Sequence, residues 1–183
     1  MNISPDDFEK LGIDESNLDE KAEQTTYKIR YVARYVRQWV RIEANRKEIR
    51  QINFIDCMCN AGVYKDGDAC TALEVIEDFN GLAKQFPSKK FVVYLNDIDK
   101  ERIKIFDKIY QKYILPQKSS NLQVNSKNKD VNDYLDMIAA DSQNKQGLFA
   151  YGKCNLIYVD PYNFGTVQIS KLHAILENNY CEL

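Results

Sequence analysis

The stretch Ile52-Asn53-Phe54-Ile55-Asp56-Cys57-Met58-Cys59-Asn60-Ala61-Gly62-Val63-Tyr64 passes from a short apolar run through an aspartate into small, turn-prone residues. Ile52, Phe54 and Ile55 suit a buried central strand, which places Asp56 at its carboxyl end. Asn60, Ala61 and Gly62 permit a tight, left-handed backbone in the following loop, where a ligand can approach main-chain amides. In open α/β sheets, ligands bind outside the carboxyl ends of the strands. Taken alone, the stretch also fits a core strand that Asn60 and Gly62 merely end, with Asp56 solvated at its tip. The segments on either side weigh against that plainer reading.

Downstream, Ala72, Val75, Ile76, Phe79, Leu82, Ala83 and Phe86 keep a helical period; Asp68 or Thr71 can cap this helix and Pro87 ends it. Phe91 to Leu95 is a β-branched and aromatic run, a second buried strand that ends in Asn96-Asp97-Ile98-Asp99. Glu101 to Ile114 reads as a helix stopped by Pro116, Asn121 to Val124 as a weaker third strand, and Val131 to Ala140 as another helix. Asn155 to Val159 is a fourth strand, leading into Asp160-Pro161-Tyr162-Asn163-Phe164-Gly165, and Ile169 to Leu176 begins a further helix. This alternation predicts a Rossmann-like α/β fold, an open, mostly parallel sheet with helices on both faces.

The 183 residues are about one domain's worth, and 44% hydrophobic with 28% charged residues excludes a disordered or collagen-like chain. No apolar run is long enough to cross a bilayer, and the acidic start MNISPDDFEK is unlike a secretory leader, so a cytoplasmic protein without a membrane partner is expected. Five cysteines with no C-x-x-C signal neither a disulfide framework nor a zinc knuckle. With His173 the only histidine, no metal site is expected, although Cys57, Cys59 and Cys70 could meet around an ion if a fourth ligand were supplied.

Charge divides the amino-terminal quarter in two. Residues 1–23 carry eight acids against two lysines, which suggests a loosely anchored acidic arm, 1–24, ahead of one domain spanning 25–183. From Gln24 to Gln51 the balance reverses to eight cations against two acids. Ile29, Val32, Ala33, Val36, Trp39 and Val40 recur at helical spacing, so Thr25 to Lys47 reads as a long amphipathic helix. Arg30, Arg34, Arg37 and Arg41 on its polar side either track nucleic-acid phosphates or form a solvated face that the acidic arm neutralises.

Three strands thus end in acids. Asp97 has the position from which a carboxylate takes the two hydroxyls of a ribose, shared by dinucleotide and S-adenosylmethionine enzymes. Asp56 separates these classes. A pyrophosphate about 4 Å from a carboxylate costs roughly 4 kcal/mol per charge pair at an effective dielectric near 20, whereas S-adenosylmethionine brings an ammonium and a sulfonium. The first loop also lacks G-x-G-x-x-G, and its length suggests that no helix start is delivered directly to a pyrophosphate. A cationic nucleoside ligand fits better.

Phe54-Ile55-Asp56 through Gly62-Val63-Tyr64, Asp66-Gly67, Asn96-Asp97-Ile98-Asp99 and Asp160-Pro161-Tyr162, in this order and behind a long helix carrying Tyr35 and Trp39, resemble the three-Cys-motif partner proteins (TcmP). That family lies within the class I S-adenosylmethionine-dependent methyltransferases. The resemblance implies S-adenosyl-L-methionine as cofactor, with Asp56 and Gly62 at its methionine end, Asp97 at the ribose, Ile98 and Asn128 at the adenine, and Asn60 of the first loop among the cofactor-binding residues. Asp160 and Tyr162 would form the catalytic edge. The Asp160-Pro161-Tyr162 stretch is also similar to the D-P-P-Y loop of amino-methylating enzymes, in which the aspartate and a proline carbonyl accept hydrogen bonds from the target amine. Here the second proline is missing, and Tyr162 or Phe164 would supply the stacking ring; the family more usually has glycine in place of Asn60 and an acid in place of Asn128. The resemblance implies seven strands, so the sheet is read as truncated after the fourth, with an exposed edge open to a homodimer or another protein partner. The contrasting expectation is a non-catalytic interaction module that keeps the methyltransferase fold.

Overall fold

A computed structural model describes the chain except Met1, Pro5, Tyr162 and residues 178–180. Its centre is strand β1 (Gln51–Asp56), in which every residue is buried. Such a strand must be covered on both faces and paired on both edges. It is: β2 (Lys90–Asp97) lies parallel on one side and β4 (Lys153–Tyr158) on the other. Strand β3 (Leu122–Asn128) pairs with β2, and a two-residue strand β5 (Cys181–Glu182) pairs with β4 through Asn155 and Leu156. The resulting all-parallel, five-stranded sheet has the order β3-β2-β1-β4-β5. The sequence reading stopped at four strands; β5 is too short to carry a period-2 signal.

Alternation along β1 sends Ile52 and Phe54 to one core and Ile55 to the other. The first core holds helices α2 (Glu23–Asn45), α3 (Thr71–Gln85) and α4 (Lys100–Ile109); the second holds α5 (Val131–Gln143) and α6 (Ile169–Leu176). Phe79 meets Phe54 and Phe91 edge-on, at ring-centroid separations of 6.3 and 5.7 Å. Such pairs contribute about 0.5–1.5 kcal/mol each beyond the area they bury. Strand order reverses between β1 and β4, so the carboxyl ends of these strands form the switch point at which α/β sheets open a crevice.

Helix α2 has no side-chain cap at Ala22, so its packed stripe, Ile29, Ala33, Val36, Val40 and Ala44, does most to hold it. The residue preceding α3 is Cys70, also without a side-chain cap; Asp68 instead accepts hydrogen bonds from Asn2 and Lys21, which corrects the expected capping role. Asp99 does cap α4, accepting from the amides of Glu101 and Arg102. The helix expected to run on to Ile114 loosens into a π-turn at Tyr110–Ile114.

The acidic stretch ahead of α2 is anchored, where its composition suggested a loose arm. A short helix, α1 (Asp6–Lys10), buries Phe8 completely, and Ile3, Ile13 and Leu18 are buried with it in the first core. Main-chain bonds join Ile3 to Gly67 and Lys65 to Asp19. Across β1 and β4, three buried amides form a chain that the sequence reading did not anticipate. Gln51 donates to Asn53 at 2.8 Å, Asn53 to Asn155 at 2.7 Å, and Asn155 to the Leu148 carbonyl at 3.0 Å, which satisfies polar groups that would otherwise be costly in a core. Among the described residues no helix is long and apolar enough to cross a membrane.

Candidate functional site

Asp56 and Asp97 are the last residues of β1 and β2, and Asp160 stands two residues past β4. Because the three strands are adjacent and parallel, their tips come together around one cleft of about 420 Å³. That volume lies in the range of small-molecule sites, about 300–1,000 Å³. Asn60, Ile98 and Pro161 also line it.

The first loop turns as expected. Asn60 adopts φ 61° and Gly62 φ 92°. The Asn60 amide N–H donates to Asp97 at 2.9 Å, its side-chain nitrogen donates to Asp19 at 2.6 Å, and its side-chain oxygen accepts from the Ala61 amide. The loop after β1 is thus fastened to the tip of β2 and to the amino-terminal stretch. Asp97, buried, also accepts the Asp99 amide at 2.9 Å, so each carboxylate oxygen holds one main-chain donor and keeps a lone pair for another.

Asp56 is 1% exposed and accepts the Met58 amide at 3.0 Å. Burial raises its pKa from the ordinary 3.8 to about 7; the nearby carboxylates of Asp160 and Asp97 add to the rise, while the Met58 amide and Lys28 oppose it. The half-exposed Asp160 is ion-paired to Lys28 of α2. Beside it, the Tyr158 hydroxyl is buried near Thr71 and Asp160 with no hydrogen bond of full geometry to a described residue. Burial first, then these carboxylates, push the Tyr158 pKa well up, so the ring stays neutral and can donate.

Not every expected residue reaches the cleft wall. Gly62 packs behind it, where an added Cβ would come within 3.1 Å of Phe106, so its glycine answers to core packing as well as to its positive φ. Asn128 is also behind the wall: its side-chain nitrogen donates to the carbonyls of Asp97 at 2.9 Å and Ile98 at 2.7 Å, holding the turn that carries both. Tyr162 lies outside the described residues. The start of α3, in contrast, does reach the cleft through Cys70 and Thr71, which corrects the expectation drawn from the length of the first loop.

The cleft also contains residues that sequence reasoning missed, notably Asp19, Glu20, Lys28 and Arg102. Asp19 takes an ion pair from Arg102 at 2.8 Å and so ties α4 to the cleft rim. Asp19, Glu20 and Lys28 lie far from the three strand-end motifs in sequence, and no local pattern marks them; Arg102 follows the Asp97 motif by a few residues, but as a cation in the first turn of α4 it carries no signal of its own. Among the described residues five carboxyl side chains and two cations line the cleft, and no group of histidine, cysteine and acidic side chains converges as a metal site. Cys57 and Cys59 are buried and their pKa values are raised, which keeps both thiols protonated. Chemically, the cleft offers carboxylate acceptors to a ligand that carries hydroxyls and positive charge. Neither the protein-family models nor the curated protein sequences compared with the chain give a match.

Proposed function

We propose that the chain is an S-adenosylmethionine-dependent methyltransferase-type domain whose methyl acceptor is a nucleic acid. The observation that carries this reading is the convergence of Asp56, Asp97 and Asp160 from adjacent parallel strands on one cleft at the switch point. The excess of carboxyl groups supports a cationic ligand over a dinucleotide, whose pyrophosphate would meet several acids at close range. S-adenosylmethionine, when bound, supplies an electrophilic methyl on a sulfonium centre.

In this reading Asp97 accepts the ribose hydroxyls on the lone pairs that Asn60 and Asp99 leave open. Ile98, exposed in the cleft wall, offers an apolar surface to the adenine, and Asn128 positions that wall through the main chain. Asp56 faces the methionine end, where a positive charge favours its ionised form. Asp160 accepts a hydrogen bond from the acceptor's amino group, which raises electron density on the attacking nitrogen. The three-Cys-motif partner proteins are the family this arrangement of roles suggests. The exposed arginines of α2 support a nucleic-acid acceptor, since Lys28 of the same helix stands in the cleft.

A second reading, a non-catalytic module that keeps the fold, is favoured by one contact: Lys28 already holds the Asp160 carboxylate. Calorimetric titration with S-adenosylmethionine and S-adenosylhomocysteine, beside methyl-transfer assays on DNA and RNA, separates the two. Asp97→Ala is expected to weaken S-adenosylhomocysteine by about 1.5–3 kcal/mol, the worth of hydrogen bonds to a charged group. Asp160→Asn is expected to cut turnover and leave that affinity nearly intact, because its bond forms toward the transition state. Binding without transfer in the parent supports the module, and absence of binding removes the methyltransferase reading.

A further inference from the structure

Helix α2 has two apolar stripes, and only one of them is in the core. Ile29, Ala33, Val36, Val40 and Ala44 are buried. On the far side Tyr27, Tyr31, Tyr35 and Ile42 are exposed, Tyr31 by 75% and Tyr27 by 66%. The three tyrosines follow one another at four-residue steps, so their rings stand one turn apart, about 6 Å along the axis, on one face. A lone exposed aromatic needs no explanation; three in register on a rigid helix form a platform.

The charge around this platform is one-sided. Between Glu23 and Glu43 the helix has no acid and five cations. Helical spacing puts Arg30, Arg34 and Arg41 in the row beside the tyrosines and Lys28 on the other flank. Arg37, farther round, is engaged by Asp78 at 2.6 Å, whereas Arg30, Arg34 and Arg41 make no ion pair with a described residue. The expectation that the acidic stretch would neutralise this face is not met: Asp19 pairs with Arg102, Glu20 with Lys65 and Asp7 with Lys10. The platform also leads to the cleft. A groove of about 250 Å³ runs between Tyr31, Tyr35 and the β4 residues Leu156 and Tyr158, and Tyr158 lines the cleft as well.

We infer that the outer face of α2 binds single-stranded nucleic acid, with bases stacking on Tyr27, Tyr31 and Tyr35 and phosphates on Arg30, Arg34 and Arg41, and passes the strand to the cleft past Lys28 and Tyr158. Aromatic rings at intervals beside a cationic row are the physical pattern of single-strand binding: every base has a π face, and the backbone supplies the charge. Duplex fits poorly, because its bases are already stacked and cannot reach the rings. A protein ligand would use the tyrosines and leave the unpaired arginines unexplained unless it were strongly acidic. The inference rests on the nucleic-acid reading of the acceptor and is independent of the methyl donor.

Fluorescence anisotropy without any methyl donor tests it, with a labelled 12-nucleotide oligothymidine, its duplex with oligoadenine, and the full chain. Single strand is expected to bind at least tenfold more tightly than duplex. Tyr31→Ala should weaken it by roughly 5- to 150-fold, the range for loss of one base stack, while Tyr31→Phe, which keeps the ring, stays within about threefold. With three or four phosphates engaged, affinity should fall about 20- to 50-fold from 50 to 200 mM salt, and less steeply in Arg34→Ala. Equal or better duplex binding, no binding at low salt, or an unchanged Tyr31→Ala affinity would each overturn the inference. So would sedimentation showing that the parent self-associates and that Tyr31→Ala abolishes this, because the stripe would then be a protein interface. Loss of S-adenosylhomocysteine binding with oligonucleotide binding intact would remove the proposed activity and leave the strand-binding face standing.

Discussion

The two charged segments at the start of the chain are nearly mirror images in composition and opposite in structure. Residues 1–23 carry eight acids against two lysines, and yet they are held down. Four apolar residues, Ile3, Phe8, Ile13 and Leu18, reach the core at steps of five, and the acids Asp7 and Asp19 beside them find partners in Lys10, Tyr113 and Arg102. Helix α2 is regular and well packed, and yet its charged face is the less engaged of the two. Charge composition therefore says little about anchoring. A segment is anchored by the apolar surface it can bury, and its charges then take whatever partners the docked geometry brings near.

Breaking the anchor tests this most directly. Phe8→Ala removes a fully buried ring and is expected to cost about 3–5 kcal/mol, read as a lower denaturation midpoint in urea. If the acidic stretch were held by its charges, the loss would be far smaller and would shrink with added salt.

The cleft floor provides the next largest effect. Folding raises the Asp56 pKa from 3.8 to about 7, so the folded state holds this proton more tightly than the unfolded state does. The stability linked to it is complete below the unfolded value and is lost as pH rises through the folded one. Asp56→Asn should therefore gain on the parent by about 3 kcal/mol between pH 5 and pH 8, since one pKa unit is about 1.36 kcal/mol. Denaturation curves at the two pH values check it; a constant difference would mean that Asp56 is already charged in the folded protein. For the same reason a cationic ligand should bind more tightly as pH rises through about 7.

A matched pair of substitutions sharpens the contrast between the segments. Asp19→Ala leaves Arg102 and the Asn60 amide without this acceptor, and about 1–3 kcal/mol of stability should go with it. Arg34→Ala on the open face of α2 should change stability by less than about 0.5 kcal/mol. Chemical denaturation of both variants decides the comparison; a loss for Arg34→Ala equal to that for Asp19→Ala would show that the helix face is engaged after all.

Much of the fold was legible in the chain because its signals are local. The apolar run before Asp56, the β-branched run before Asp97 and the run before Asp160 each predicted a strand, and the observed strand ends fall within two residues of those expected. The helices from Val131 and Ile169 begin where periodicity placed them, and α3 begins at Thr71, one residue ahead of its first periodic position, Ala72. Asn60 and Gly62 showed their positive φ through residue type alone, since few other residues tolerate it. Half of the site was legible for the same reason: an acid at a strand tip is a feature of a few consecutive residues.

The sequence by itself thus determined the elements, their alternation and the three acids at strand ends. Only the tertiary structure decided which tips lie side by side, because lateral order depends on which strand edges pair across long separations, as β1 does with β4 through Asn53 and Asn155. It also decided that Asp19 and Lys28 complete the cleft, that Gly62 and Asn128 support it from behind, and that the acidic stretch is bound down. Those outcomes rest on complementary surfaces meeting in space. Periodicity records which face of a segment is apolar, whereas the partner of that face is fixed only when the whole chain buries its apolar area at once.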